Sequence, residues 1–238
     1  MITLTLDQAI SSCPPINCSM PSIDVSNRYK FISTKNVLEK AIDNGWKIFE
    51  TYKSGNKITS QHFVLMTHDV ILNNDVVSKH GIPFICLTNS HDGKNSFKYV
   101  LGYYSFAVNI KIFTEDAYME NCLVNHKKDN EEEAFSKLNQ TKIYFRNFFD
   151  TLKTFENKFL TENETKIFEL YSNKISNKNI KINFNNENSL WKIANIVHKQ
   201  LGKSFKSNMN FSQKFWKAMC SSLIFDENNL NLFLLENE

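Results

Sequence analysis

The sequence predicts an α+β protein. It should have an N-terminal helix, an antiparallel sheet of about four to five strands, a long helix packed on that sheet, and further helices at the C-terminal end. Three observations lead there. The run from Ser96 to Phe113 alternates with a period of two. The stretch from Glu131 to Leu160 contains no Gly or Pro and repeats its phenylalanines at helical spacings. Between residues 46 and 89, short apolar runs are each closed by turn-forming residues. A period of two puts alternate side chains on opposite faces of a sheet, and spacings of three and four put them on one face of a helix.

Taken in order, residues 1–27 are polar and interrupted by Pro14, Pro15 and Pro21, which suits an irregular N-terminal arm. "STKNVLEKAIDNGW" then reads as a short amphipathic helix. Ser33 or Thr34 caps it, Val37, Leu38, Ala41 and Ile42 form one face, and Gly45 ends it. "WKIFETYK", "QHFVLMTH" and "PFICLTN" follow as strands. From Ser96 to Phe113, Val100, Tyr104, Phe106, Val108 and Ile110 share one face while Tyr99, Tyr103, Asn109 and Lys111 share the other. One long strand is expected there. Glu131–Leu160 is expected to be one long helix whose acidic first turn suits the helix dipole. Shorter helices are expected over residues 162–173 and 189–201 and from about Ser212. The domain reading is an arm (1–27), an α+β core (28–160) and a helical C-terminal region packed on the core (161–238).

Composition narrows the class. With 238 residues, 42% hydrophobic and 22% charged, the chain can bury a proper core. Asn, Lys and Ile crowd it while arginine stands only at positions 28 and 146, a bias that drains meaning from the net charge of +3. No run reaches the roughly 18 apolar residues of a membrane helix, so no membrane partner is expected. The first residues lack the basic start of a signal peptide. Cys13, Cys18, Cys86, Cys122 and Cys220 are scattered without paired metal spacing, which suits a reducing cytoplasm. No GxSxG, HExxH or phosphate-cradling glycine loop occurs, and no cofactor is called for.

Three constellations could carry chemistry. Ser90-His91-Asp92-Gly93 packs a hydroxyl, an imidazole and a carboxylate together, yet triads are assembled from distant segments, and Asp-Gly between apolar runs is hairpin chemistry. His62, His68 and His91, with Asp69 or Asp92, could meet at a sheet edge around a metal and make a metal-dependent enzyme. Nothing in their spacing demands it, and no metal site or catalytic residue is assigned. Tyr99, Tyr103 and Lys111 share a strand face, with Lys94 and Lys98 beside the turn. If that face is open it forms a stacking platform for single-stranded nucleic acid, and if a helix covers it the tyrosines are core.

Several segments resemble, in the same order, a phage- and plasmid-encoded family known as domain of unknown function nine-three-two. "RYKFISTKNVLEKAIDNGW", from Arg28, is similar to its opening helix signature, and "HFV", from His62, to a strand motif. "LTNSHDGKNSFKYVLGYYSFAV" is similar to its best-marked segment, the turn Asn89-Ser90-His91-Asp92-Gly93 and the following strand. "SLWKIANIV", with Trp191 and Asn195, resembles a late helix. The chain departs at Leu65 and Met66, where the family usually carries arginines, and at Ser105 and Val108–Lys111, where it has an arginine and a Cys-x-Asn-Gly element. The resemblance implies a phage or mobile-element protein acting inside a bacterial cell. The helix–strands–long-helix order is also similar to the cores of single-strand annealing proteins. The expectation is therefore nucleic-acid association, as single-strand DNA binding or annealing in recombination, with lysines on phosphates and tyrosines on bases. The alternative is a non-enzymatic protein that inhibits a host defence complex through an exposed aromatic surface. The phenylalanine face of the long helix leaves self-association open.

Overall fold

The computed structural model describes residues 2–72, 81–106, 108–114, 122–185, 187–201, 205–224 and 230. Its backbone forms two compact units, Met1–Gly102 with Asp116–Phe145, and Tyr103–Glu115 with Arg146–Glu238. The architecture is α+β, as the sequence predicts. The boundaries of the two units differ from the three segments expected.

In the first unit, helix α1 (Leu6–Ser12) opens on a capping box between Thr5 and Gln8, and a 3-10 turn (Pro14–Asn17) follows. Residues 2–27 are thus not an irregular arm throughout. Leu4 N donates to Ile48 O at 2.7 Å, the Cys13 thiol donates to Tyr52 O at 3.3 Å, and Ala9, Cys13, Ile16 and Cys18 are buried. Helix α2 (Thr34–Asp43) is capped by the Ser33 hydroxyl and buries Val37, Leu38 and Ala41. Gly45, at φ +84°, then turns the chain into β1 (Trp46–Lys53). Strand β2 (His62–His68) leads through a short helix, α3 (Asp69–Leu72), and the chain returns in β3 (Gly81–Asn89).

β1, β2 and β3 pair antiparallel, with an irregularity in β1 between Ile48 and Glu50. Every residue of β2 is buried, which is why it reads as an apolar run and not as an alternation. The register sets His62 opposite Asn89, at the end of the sheet where the signature turn begins. β4 (Phe97–Ser105) is the next strand in the sheet order, and a short strand, β6 (Leu123–Val124), pairs with its start. Helix α4 (Glu131–Gln140), capped by Asn130 and Glu133, covers this part of the sheet. It accepts the Tyr99 hydroxyl at Ala134 O (2.8 Å) and the Trp46 indole at the Asn139 side chain (3.2 Å).

The second unit begins within β4 at Tyr103 and contains β5 (Ile110–Phe113). The run expected as one long strand is therefore two. A turn separates them, with Asn109 at φ +56°, a conformation Asn tolerates better than most residues, and its side chain accepts the Tyr104 hydroxyl. Helix α5 (Tyr144–Asn157) belongs mostly to this unit. The single helix expected from Glu131 is likewise divided, because a 3-10 turn (Thr141–Ile143) intervenes and Thr141 spends its hydroxyl on Leu138 O. Helices α6 (Glu162–Ser176), α7 (Leu190–Lys199) and α8 (Phe205–Ser221) complete the unit. α8 starts well before Ser212, since Met209 and Phe211 already lie on its buried face; Phe225, at the end of the expected helix, lies outside the described residues.

Candidate functional site

The site is built outward from the turn at residues 89–96. Asp92 accepts Lys94 N at 3.1 Å and Gly93 takes φ +71°, so these two residues do the conformational work of the turn. Ser90 does the same: its hydroxyl accepts Asn95 N (3.1 Å) and donates to Asn95 O (3.3 Å). That hydroxyl is engaged within the loop and is bonded to no imidazole.

Beneath the turn lies a buried polar chain. Asn89 Oδ1 accepts Ser90 N, and Asn89 Nδ2 donates to the Thr34 hydroxyl at 2.9 Å. Thr34 Oγ1 meets His62 Nε2 at 2.9 Å, and His62 Nδ1 meets Ser60 O at 3.1 Å. Since Ser60 O can only accept, the proton sits on Nδ1 and Nε2 accepts from Thr34. Every member is satisfied and none is exposed. Burial holds His62 neutral, with its pKa lowered to about 4.

His91 differs. Its backbone is clamped on both sides, its N–H donating to Thr59 O (3.0 Å) and its carbonyl accepting Ser22 N (2.8 Å). The ring lies between Phe31 (centroids 4.8 Å apart) and His62 (5.3 Å) and is fully buried, yet neither ring nitrogen has a hydrogen-bond partner. Burial first, then the neighbouring imidazoles of His62 and His126, lower its pKa to about 3. Asp92 and the Pro15 carbonyl act the other way, the latter from outside hydrogen-bonding geometry.

Beside the turn opens a cleft of about 510 Å³, lined by Asp24, Tyr29, Asp92, Lys94, His126 and Lys127 among others. The Tyr29 ring stacks on His126 (4.5 Å) and its hydroxyl donates to Ser90 O at 3.1 Å. His126 takes the Lys30 carbonyl with Nδ1 (3.1 Å), while its Nε2 is buried and has no partner. Lys94 and Lys127 are exposed, and neither forms an ion pair with a described residue. Arg28 is exposed in the turn just before Tyr29.

The expected stacking platform is not present. Tyr99 is 3% exposed and held under α4, and Tyr103 is 1% exposed between Phe148 and Trp191. Aromatic rings on a sheet face were core because helices cover that face. Lys98 is half-buried, and Lys111 lies over the Tyr104 ring at 5.5 Å. Of the five residues expected to bind nucleic acid, Lys94 alone lines the cleft. Trp191 and Asn195 are structural: Trp191 packs on Tyr103, and the Asn195 side chain accepts the Ser105 hydroxyl at 2.8 Å. The histidines do not converge on a metal. His68 is at the far end of β2, roughly 20 Å along the strand, bonded to Asn44 O, and no metal-type group of three is found among the described residues.

Sequence reasoning missed Tyr29, Thr34 as a hydrogen-bond relay, and His126. His126 lies in "VNHKKDN", where no periodicity marks it, and the pairing of β6 with β4, with the bonds between His126 and Lys30, brings it to the turn.

Fold and site together define an α+β protein whose signature turn seals a buried histidine-rich cluster next to an open polar cleft. The chain matches the family model described as Domain of unknown function (DUF932) over residues 23–215, most of its length, and it belongs to that family. No solved structure matches it.

Proposed function

We propose that this is a nucleic-acid-associated protein of phage or mobile-element origin that binds single strands, without covalent chemistry, at the cleft beside the signature turn. The observation that carries the reading is the set of exposed cations at that cleft, Lys94 and Lys127, with Arg28 and Lys128 in the adjoining segments. Cations of this kind neutralise phosphates and release counterions, which makes binding salt-dependent. The Tyr29–His126 ring pair takes the place of the buried tyrosines as the aromatic element. Asp24 and Asp92 add acceptors suited to base amino groups.

Fluorescence anisotropy with short single-stranded DNA across a salt series tests this. Binding should weaken as salt rises. Lys94→Ala and Lys127→Ala should each weaken it further and reduce the slope of log affinity against log salt by about 0.7. Salt-insensitive or absent binding at micromolar protein rejects the proposal.

A second reading, capture of a host defence protein, is favoured by one observation. Met20 (68% exposed) and Ile23 (98%) flank Ser22, which is bonded to His91, so apolar side chains stand open beside the same turn. Under that reading Ile23→Asp abolishes capture of the host protein and leaves DNA binding absent throughout.

A further inference from the structure

His91 is the one group in the signature turn whose placement the turn does not explain. Asn89, Ser90, Asp92 and Gly93 all serve the local conformation, whereas the His91 ring is buried with both nitrogens unpartnered. A buried donor left unmade is costly, and native structures keep such groups rarely. The backbone of the same residue is the attachment point of two separate segments. It holds the loop at Thr59 through its N–H and the segment beginning at Ser22 through its carbonyl. That second segment is also fastened by Tyr29 on the Ser90 carbonyl and by Val25, which lies 3.2 Å from where a Gly93 side chain would begin. The two hydrogen bonds that tie residues 22–29 to the turn both fall on residues 90–91, and at its far end the Tyr29 ring stacks on His126, next to the bonds of Lys30.

We propose that His91 is the trigger of an acid-operated latch: protonation of its ring expels it from the Phe31–His62 slot and frees the Ser22–Tyr29 segment from the signature turn. The groups that face it are known. β2 contributes His62, the segment after β6 contributes His126, the turn contributes Asp92, and residues 22–29 contribute Tyr29 on the adjoining carbonyl. The Thr59 loop meets it by a carbonyl, the 3-10 turn by that of Pro15, and α2 reaches the cluster through Thr34. Of the ionisable groups that act on the ring, only Asp92 favours an imidazolium, and both imidazoles oppose it. The sign follows. The closed state holds His91 neutral, while an opened ring regains the ordinary affinity for a proton. The latch is therefore closed above about pH 6.5 and is favoured to open as the pH falls below it. Since Asp24, Val25, Ser26 and Tyr29 form one wall of the cleft, opening dismantles the cleft whatever ligand it takes.

Amide hydrogen exchange on the full chain, normalised for the intrinsic rate at each pH, tests this without any ligand. The opening constant of the Ser22 amide should rise about tenfold per pH unit between about pH 6 and pH 4, as one bound proton requires. Amides of β2 open only with the whole first unit, so at each pH in this range they should stay better protected than Ser22. In His91→Phe the ring still fills the slot, and the Ser22 rise should vanish. An equal rise in wild type and His91→Phe overturns the latch, as does opening of Ser22 and the β2 amides together. Should His91→Phe not fold, the ring resonance of His91 in the unaltered chain decides. A normal titration near pH 6.5 with the Ser22 amide still protected overturns the proposal, as does a Ser22 opening constant that stays level between about pH 6 and pH 4, whereas a ring unprotonated above about pH 5 while that constant rises upholds it.

Discussion

Thr34 shows how much one side chain can hold. Its hydroxyl accepts from Asn89 and donates to His62, so it links the start of α2, the end of β3 and the start of β2 in a single relay. Thr34→Val keeps the shape and removes both bonds, leaving His62 Nε2 and one Asn89 N–H buried without partners. The expected cost is about 2–4 kcal/mol, read by chemical denaturation. A loss near zero means the relay is not made. Gly93 carries a different constraint: at φ +71° any side chain is strained, and a Cβ there would press on Val25. Gly93→Ala should cost about 1–2 kcal/mol and weaken ligand binding at the cleft, because Val25 and Gly93 both line it. The glycine was legible in the sequence as hairpin chemistry. The relay was not, since Thr34 offered itself only as a helix cap and nothing in a one-dimensional pattern pairs it with a histidine 28 residues on.

At the scale of elements, the strands and helices with undivided periodicity were legible, and those interrupted by a turn that preserved the pattern were not. β4 and β5 alternate in phase across the Asn109 turn, so Ser96–Phe113 reads as one strand. α4 and α5 lie in one phenylalanine-rich run whose break at Thr141–Ile143 removes no apolar residue. The α1 segment was missed for another reason. Its burial rests on small residues, Ala9 and Cys13, that carry little hydrophobic signal. The same small residues pack the segment closely along β1, which ends the sheet order. An uncovered edge strand is a template for another chain. A chain lacking residues 1–13 is expected to self-associate in a concentration-dependent way, seen by light scattering, where the full chain does not. Equal scattering from both would remove this role from α1. In the second unit, α7 and α8 are joined by His198, whose Nδ1 donates to Ala194 O and whose Nε2 accepts the Ser212 hydroxyl at 2.6 Å. The pair has the separation of a nucleophile and its base, but both residues are buried and the ring is edged by Phe211 and Phe215, so it is a helix clip.

Across the whole molecule, the buried histidines are unevenly shared between the two units, and that sets how each responds to acid. The first unit holds His62 and His91, lowered to about 4 and about 3, with His126 also lowered; the second holds His198, lowered to about 4. Burial is the leading cause in every case, since the charged ring loses its hydration. A group whose folded pKa is depressed contributes stability that is fully present above its unfolded pKa, near 6.5, and is lost as the pH falls towards the folded value. Stability should therefore be level above about pH 7 and fall between about pH 6.5 and pH 4 in both units. The fall should be steeper in the first unit, where unfolding takes up two to three protons against one, so that its slope is about two to three times as great. Exchange-detected denaturation reads the units separately, through amides of β2 for the first and of α7 for the second. His62→Gln and His91→Phe should each remove about one proton from the first unit's slope and leave the second unchanged. Equal slopes in the two units would mean that the histidines of the signature cluster are not held neutral. The case for a latch at His91 would fall with them, while the proposed binding at Lys94 and Lys127 would stand.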